Sequence, residues 1–112
     1  MLVKVFMRRQ FKEGKTNEAF TLIRKIRSRA MRKLGYISGE TFVEHDDTTK
    51  TMVVGTWQSI DDWQNWKEDP KREDLEAQLA ELLEGPTEYE IYVYSKNRLE
   101  ITGEPSLGEK KL

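Results

Sequence analysis

The chain has 112 residues, with 19 Lys/Arg, 20 Asp/Glu, one His and no Cys. Its length suits one domain, and the missing cysteine excludes a disulfide framework, a thiolate metal site and a cysteine nucleophile. No apolar run approaches the ~20 residues of a membrane span.

The charge is unevenly spread. Residues 1–35 carry eleven Lys/Arg and two acids, for +9, whereas residues 36–112 carry eight and eighteen, for −10. Such asymmetry can mark a nucleic-acid patch. Here Arg24, Lys25, Arg27, Arg29, Arg32 and Lys33 flank an apolar helical stripe with no interleaved stacking aromatics. A solvated helix face is therefore expected, without nucleic acid or membrane as a partner.

In chain order, residues 2–11 alternate with period two and predict a first strand. The segment lacks the basic region and long apolar core of a signal peptide, so a cytoplasmic setting is the default. Gly14-Lys15-Thr16-Asn17 reads as a turn and cap. Ala19, Ile23, Ile26, Ala30 and Leu34 then recur at three- and four-residue spacing, with Phe20 and Met31 beside them. They predict an amphipathic helix from Glu18 to Leu34, stopped by Gly35.

Tyr36 to His45 predicts a second strand, Asp46-Asp47-Thr48-Thr49 a hairpin turn, and Thr51 to Trp57 a third strand. Ser59 can cap a helix running to about Glu68, with Asp62 three residues on completing a capping box. Asp69-Pro70 predicts a cap and first residue of another helix. It bears Leu75, Leu79, Leu82 and Leu83 and stops at Gly85-Pro86. Thr87 to Ser95 predicts the fourth strand. The chain thus divides into a folded domain over residues 1–95 and a polar tail over 96–112.

This order predicts an α+β, ferredoxin-like βαββαβ fold with a four-stranded antiparallel sheet. The strands are apolar on both faces: Val3, Val5 and Met7 alternate with Leu2 and Phe6, and Tyr89, Ile91 and Val93 with Tyr92 and Tyr94. A sheet solvated on one face should alternate more cleanly. A homodimer packed sheet against sheet is the expectation.

All three tryptophans, Trp57, Trp63 and Trp66, lie within ten positions at a strand-to-helix junction. Such rings can build a core or a pocket for a planar ligand. Gly35-Tyr36-Ile37-Ser38-Gly39, Thr56-Trp57-Gln58-Ser59, Trp63-Gln64-Asn65-Trp66, Asp69-Pro70 and Tyr89-Glu90-Ile91-Tyr92, in this order and spacing, resemble the antibiotic-biosynthesis-monooxygenase (ABM) superfamily of dimeric α+β barrels. The resemblance covers about residues 1–95.

It implies an oxidoreductase working without metal, flavin or haem on a small aromatic or quinol, in a pocket between sheet and helices. Trp66 matches the family's pocket tryptophan, and Trp63, Phe20 and Ile23 are expected to contact the substrate with it. Asp62 falls near an asparagine position of some members and is a candidate base. The plainer reading of Asp62 is a helix cap. Trp57 and Trp63 are expected to be mainly structural.

Haem degradation is disfavoured, because its asparagine and histidine positions fall near Met7 and Glu76. His45, beside Asp46 and Asp47, is read as turn chemistry and not as a metal site. The phenols of Tyr36, Tyr89, Tyr92 and Tyr94, and the cations Arg24 and Arg27, are further candidates whose facing the pattern leaves open. The rival expectation is a non-enzymatic dimeric module that binds a small ligand or a partner protein.

Overall fold

The computed structural model describes residues 1–95; the polar tail expected over 96–112 lies outside them. The elements are β1 (Val3–Gln10), α1 (Thr16–Ala30), β2 (Tyr36–Val43), β3 (Lys50–Trp57), α2 (Ile60–Lys67), α3 (Pro70–Ala80) and β4 (Glu88–Val93). The four strands form one antiparallel sheet in the order β2-β3-β1-β4. This is the expected ferredoxin-like arrangement, with the second helical segment split at Asp69-Pro70.

The local chemistry explains the element boundaries. Ser59 accepts the Asp62 N–H at 3.1 Å and caps α2, while its hydroxyl donates to Asp62 Oδ2 at 2.9 Å. Asp69 Oδ1 accepts the N–H groups of Lys71 and Arg72, and Pro70 opens α3. Two predicted helices prove shorter. α1 stops at Ala30, and Met31 to Gly35 forms a turn in which Met31 and Leu34 are exposed. α3 stops at Ala80, so Leu82 and Leu83 lie beyond it, and Leu83 forms a bridge with Phe11. At the end of α3 this tertiary contact overrides a leucine-rich helical pattern, whereas at the end of α1 the side chains simply turn to solvent.

Cross-strand pairing sorts the two faces. Val3, Val5, Met7 and Arg9 pair with Trp57, Gly55, Val53 and Thr51 on the helix-covered face. All eight are buried, and Ala19, Ile23, Ile26 and Leu79 of the helices close the core over them. On the opposite face Phe6, Met52, Val54 and Tyr92 alternate with Lys4, Arg8, Glu88 and Glu90. Arg8 pairs with Glu90 at 2.7 Å, and this neighbouring carboxylate raises the guanidinium pKa above its ordinary value. The second face carries the expected apolar residues Phe6, Met52, Val54 and Tyr92, interrupted by Lys4 and Arg8, which flank Phe6 in the period-two pattern of β1.

Candidate functional site

The site forms where β3 hands the chain to α2. Trp57 closes β3 and is 2% exposed; Trp63 and Trp66, one helical turn apart on α2, are 1% and 4% exposed. Trp57 stacks on Trp66 (centroids 6.4 Å, 26° between planes) and meets Trp63 edge-on (6.3 Å, 60°). Tyr36 meets Trp57 in a T-shaped contact at 5.4 Å. Burial raises the Tyr36 phenol pKa above its ordinary value, with Arg27 opposing the rise.

Between the sheet and the helices these rings border a cavity of about 50 Å³. Trp57, Trp63 and Trp66 line it together with Ile23, Ile26 and Ala30 of α1. From the sheet come Met7, Val53 and Arg9; α1 adds Arg27, and α3 adds Arg72 and Glu76. A water occupies ~30 Å³ of liquid, and a cavity that takes benzene measures ~150 Å³. The space therefore suits one or two waters and must widen roughly threefold for a single aromatic ring.

The polar part of the wall is a buried network. Arg9 Nη2 donates to both Glu76 oxygens, at 3.2 and 3.0 Å, and Arg9 Nε to Thr87 Oγ1 at 3.1 Å. Arg72 Nη2 reaches Glu76 Oε2 at 3.2 Å and donates to the Tyr89 hydroxyl at 2.9 Å. The Arg72 guanidinium also lies 5.3 Å from the Trp63 ring centre and 5.9 Å from that of Tyr89, within cation–π range. Arg27 donates to Thr41 Oγ1.

The sequence-predicted residues take distinct places. Trp66, Trp63 and Ile23 lie on the wall. Phe20 stands elsewhere, half-buried and edge-on to Phe11 at 5.3 Å. Asp62 sits in the α2 cap, so close to Gly35 that a Cβ there would be 2.6 Å from the Asp62 Cβ. Its carboxylate is held by Ser59 and is not among the groups lining the cavity. Arg27 reaches the wall whereas Arg24 is exposed. Tyr89 supports Arg72, and Tyr92 faces the other side of the sheet against Phe6, 5.4 Å away. His45 lies beyond the end of β2, its side chain 95% exposed and 2.8 Å from Asp46.

Sequence reasoning missed Arg9, Arg72, Glu76 and the share of Trp57 in the wall. The signals were present. Arg9 continues the buried period of Val3, Val5 and Met7, and Arg72 and Glu76 are an oppositely charged i,i+4 pair. Met7 and Glu76, the haem-branch positions, both border the cavity.

A ferredoxin-like α+β domain with a tryptophan-walled cavity under its sheet is the class this geometry defines. Comparison with solved structures gives the fold more particularly, as that of ABM-type proteins. A conserved protein from Methanosarcina mazei Go1 superposes with a TM-score of 0.80 at 18% identity, covering 85% of this chain and 94% of its own. A candidate antibiotic biosynthesis monooxygenase from Nitrosomonas europaea gives 0.79 at 17%, covering 85% and 91%. SnoaB, a cofactor-independent oxygenase from Streptomyces nogalater, gives 0.77 at 15%, covering 85% and 94%. At these identities the likeness is one of fold. No protein-family model matches the sequence, and no curated protein does. Among the described residues, no helix is long and apolar enough to cross a membrane.

Proposed function

We propose that this chain is a cofactor-independent monooxygenase acting on a small phenol or quinol, working as a homodimer joined through its sheets. The observation that carries the reading is the cavity bordered by three indoles and three guanidiniums, in a fold shared with a cofactor-independent oxygenase. Indole faces suit a flat ring. Guanidinium groups favour the ionised phenol over the neutral one. An ionised quinol is electron-rich enough to reduce dioxygen itself, one oxygen atom entering the ring system and the other leaving as water. In this reading the protein contributes orientation, stabilisation of the anion and exclusion of bulk solvent.

Oxygen uptake with a panel of quinols tests the proposal, with Trp66→Phe and the protein-free autoxidation rate as references. Uptake well above autoxidation, and altered by Trp66→Phe, is expected. Uptake that never exceeds the protein-free rate overturns the enzymatic reading.

A second reading, a dimeric module that binds a small ligand without reacting, draws on two features. The cavity is small, and its one carboxylate, Glu76, is engaged by two arginines. Saturable binding of an aromatic with no oxygen uptake would select it.

A further inference from the structure

The polar part of the cavity wall carries more cations than carboxylates. Among the described residues that line the space, three cations, Arg9, Arg27 and Arg72, face one carboxylate, Glu76. Two of the cations lie deep: the Arg9 and Arg72 side chains are 2% and 5% exposed. Buried cations need a counter-charge or a full set of acceptors. Glu76 accepts from Arg9 on both oxygens and pairs with Arg72 through Oε2, and Arg27 donates to the Thr41 hydroxyl. Arg72 Nε is buried with no hydrogen-bond partner among the described residues. Arg72 Nη1 donates to the Lys67 carbonyl at 3.4 Å, and Nη2 is held by Glu76 and Tyr89, so Nε is the donor that an added acceptor would satisfy.

We infer that Arg72 and Arg9 form a site for a monovalent oxyanion, a carboxylate or ionised phenol, whose charge completes the Glu76-centred network. The inference rests on the ligand-binding reading above and assigns its anchoring end. Arg72 Nε is closed off in the present packing, so the wall opens for the oxyanion to accept its charge-assisted hydrogen bond, and an attached ring requires the threefold widening between Trp63 and Trp66. A neutral ligand of the same shape leaves the charge excess in place and gains much less.

The test is binding to the intact protein under nitrogen, read by tryptophan fluorescence and by the shift in thermal midpoint. Acid and amide are compared at one mildly alkaline pH: formate with formamide, benzoate with benzamide, and 4-nitrophenolate alongside. Anions should bind at least tenfold more tightly than their amides and raise the midpoint as their concentration rises. Arg72→Met, which leaves the Arg9–Glu76 pair matched, should weaken anion binding by tenfold or more. Glu76→Gln, which removes the competing carboxylate, should strengthen it several-fold, an effect no scaffolding role of Glu76 would give.

Formate binding as well as benzoate identifies a free small anion as the ligand. Binding of benzoate or nitrophenolate with formate silent identifies the charged end of an aromatic. Amides binding as well as acids, or anions giving no response, overturn the site and leave the space to water. Should Arg72→Met fail to fold, the acid–amide comparison and Glu76→Gln decide, and unchanged or weaker anion binding in the latter counts against the site. Binding read without dioxygen is independent of turnover, so anion binding here together with no oxygen uptake in the aerobic quinol assay refutes only the oxygenase reading. Oxygen uptake without anion preference refutes only the anion site.

Discussion

Gly35 is the position where one added methyl group should cost most for its size. Its φ is 85°, in the left-handed region that a side chain rarely adopts, and that conformation costs an L-residue about 1–2 kcal/mol. Its Cα faces the start of α2 so closely that an added Cβ would overlap the Oδ2, Cγ and Cβ of Asp62, the last at 2.6 Å. Carbon atoms normally rest ~3.5–4.0 Å apart, so the overlap is about 1 Å or more. Relief requires moving Asp62, whose side chain and N–H are bonded to Ser59 in the cap. Overpacking of this kind costs about 1–3 kcal/mol.

Gly35→Ala should therefore destabilise the fold by about 2–5 kcal/mol, a large part of the ~5–15 kcal/mol that holds a domain together. Urea unfolding followed by circular dichroism, at one fixed protein concentration, measures it. The steric part is isolated by repeating the substitution in an Asp62→Gly background, where every overlapping atom of Asp62 is gone. There the penalty should fall to the backbone share, about 1–2 kcal/mol, giving a coupling energy of about 1–3 kcal/mol. An equal penalty in both backgrounds, or one below about 0.5 kcal/mol in the parent, would refute the wedge between Gly35 and Asp62.

Two further outcomes bear on the frame around the site. Asp69 caps α3 and pairs with Lys33 at 2.7 Å, and Lys33 in turn lies 5.9 Å from the Trp66 ring centre. The Lys33 bond holds the Asp69 pKa below its ordinary value. A carboxylate depressed in the folded state contributes stability that is present above its unfolded pKa and lost as pH falls through the folded one. Asp69→Asn, which keeps a capping oxygen, should reduce stability at neutral pH and flatten its decline in acid; parallel declines for both proteins would contradict this. The homodimer proposal draws on Phe6, Met52, Val54 and Tyr92 on the open face of the sheet. It expects Phe6→Asp to shift the protein from dimer to monomer in sedimentation velocity, and a parent already monomeric at high concentration would remove it.

Much of the fold was legible because its signals are local. Period two in β1, the Ser59 and Asp69-Pro70 caps, and the Trp63/Trp66 spacing each depend on neighbours within a turn or two. Together they determined the element order and the placing of the tryptophans at the β3–α2 junction. The ends of α1 and α3 were not legible. After α3 the leucine pattern serves a further helical turn and a packed loop equally well, and Leu83 is taken by Phe11 of the first strand's extension; after α1, Met31 and Leu34 keep the helical spacing but face solvent.

The site chemistry lay further out of reach. Arg9 and Glu76 stand 67 positions apart in the chain. They meet only because the β1 register turns Arg9 towards the helices and α3 crosses above it. Whether Asp62 enters a pocket or locks a cap depends on Gly35 approaching it from another loop. The sequence by itself determined the architecture and the gathering of the indoles, since hydrogen-bond periodicity and capping act over a few residues. Only the tertiary structure decided the cavity's small volume and its unbalanced charge. Both arise from the way separate elements pack, where one turn of helix or one step of strand register would bring different side chains together.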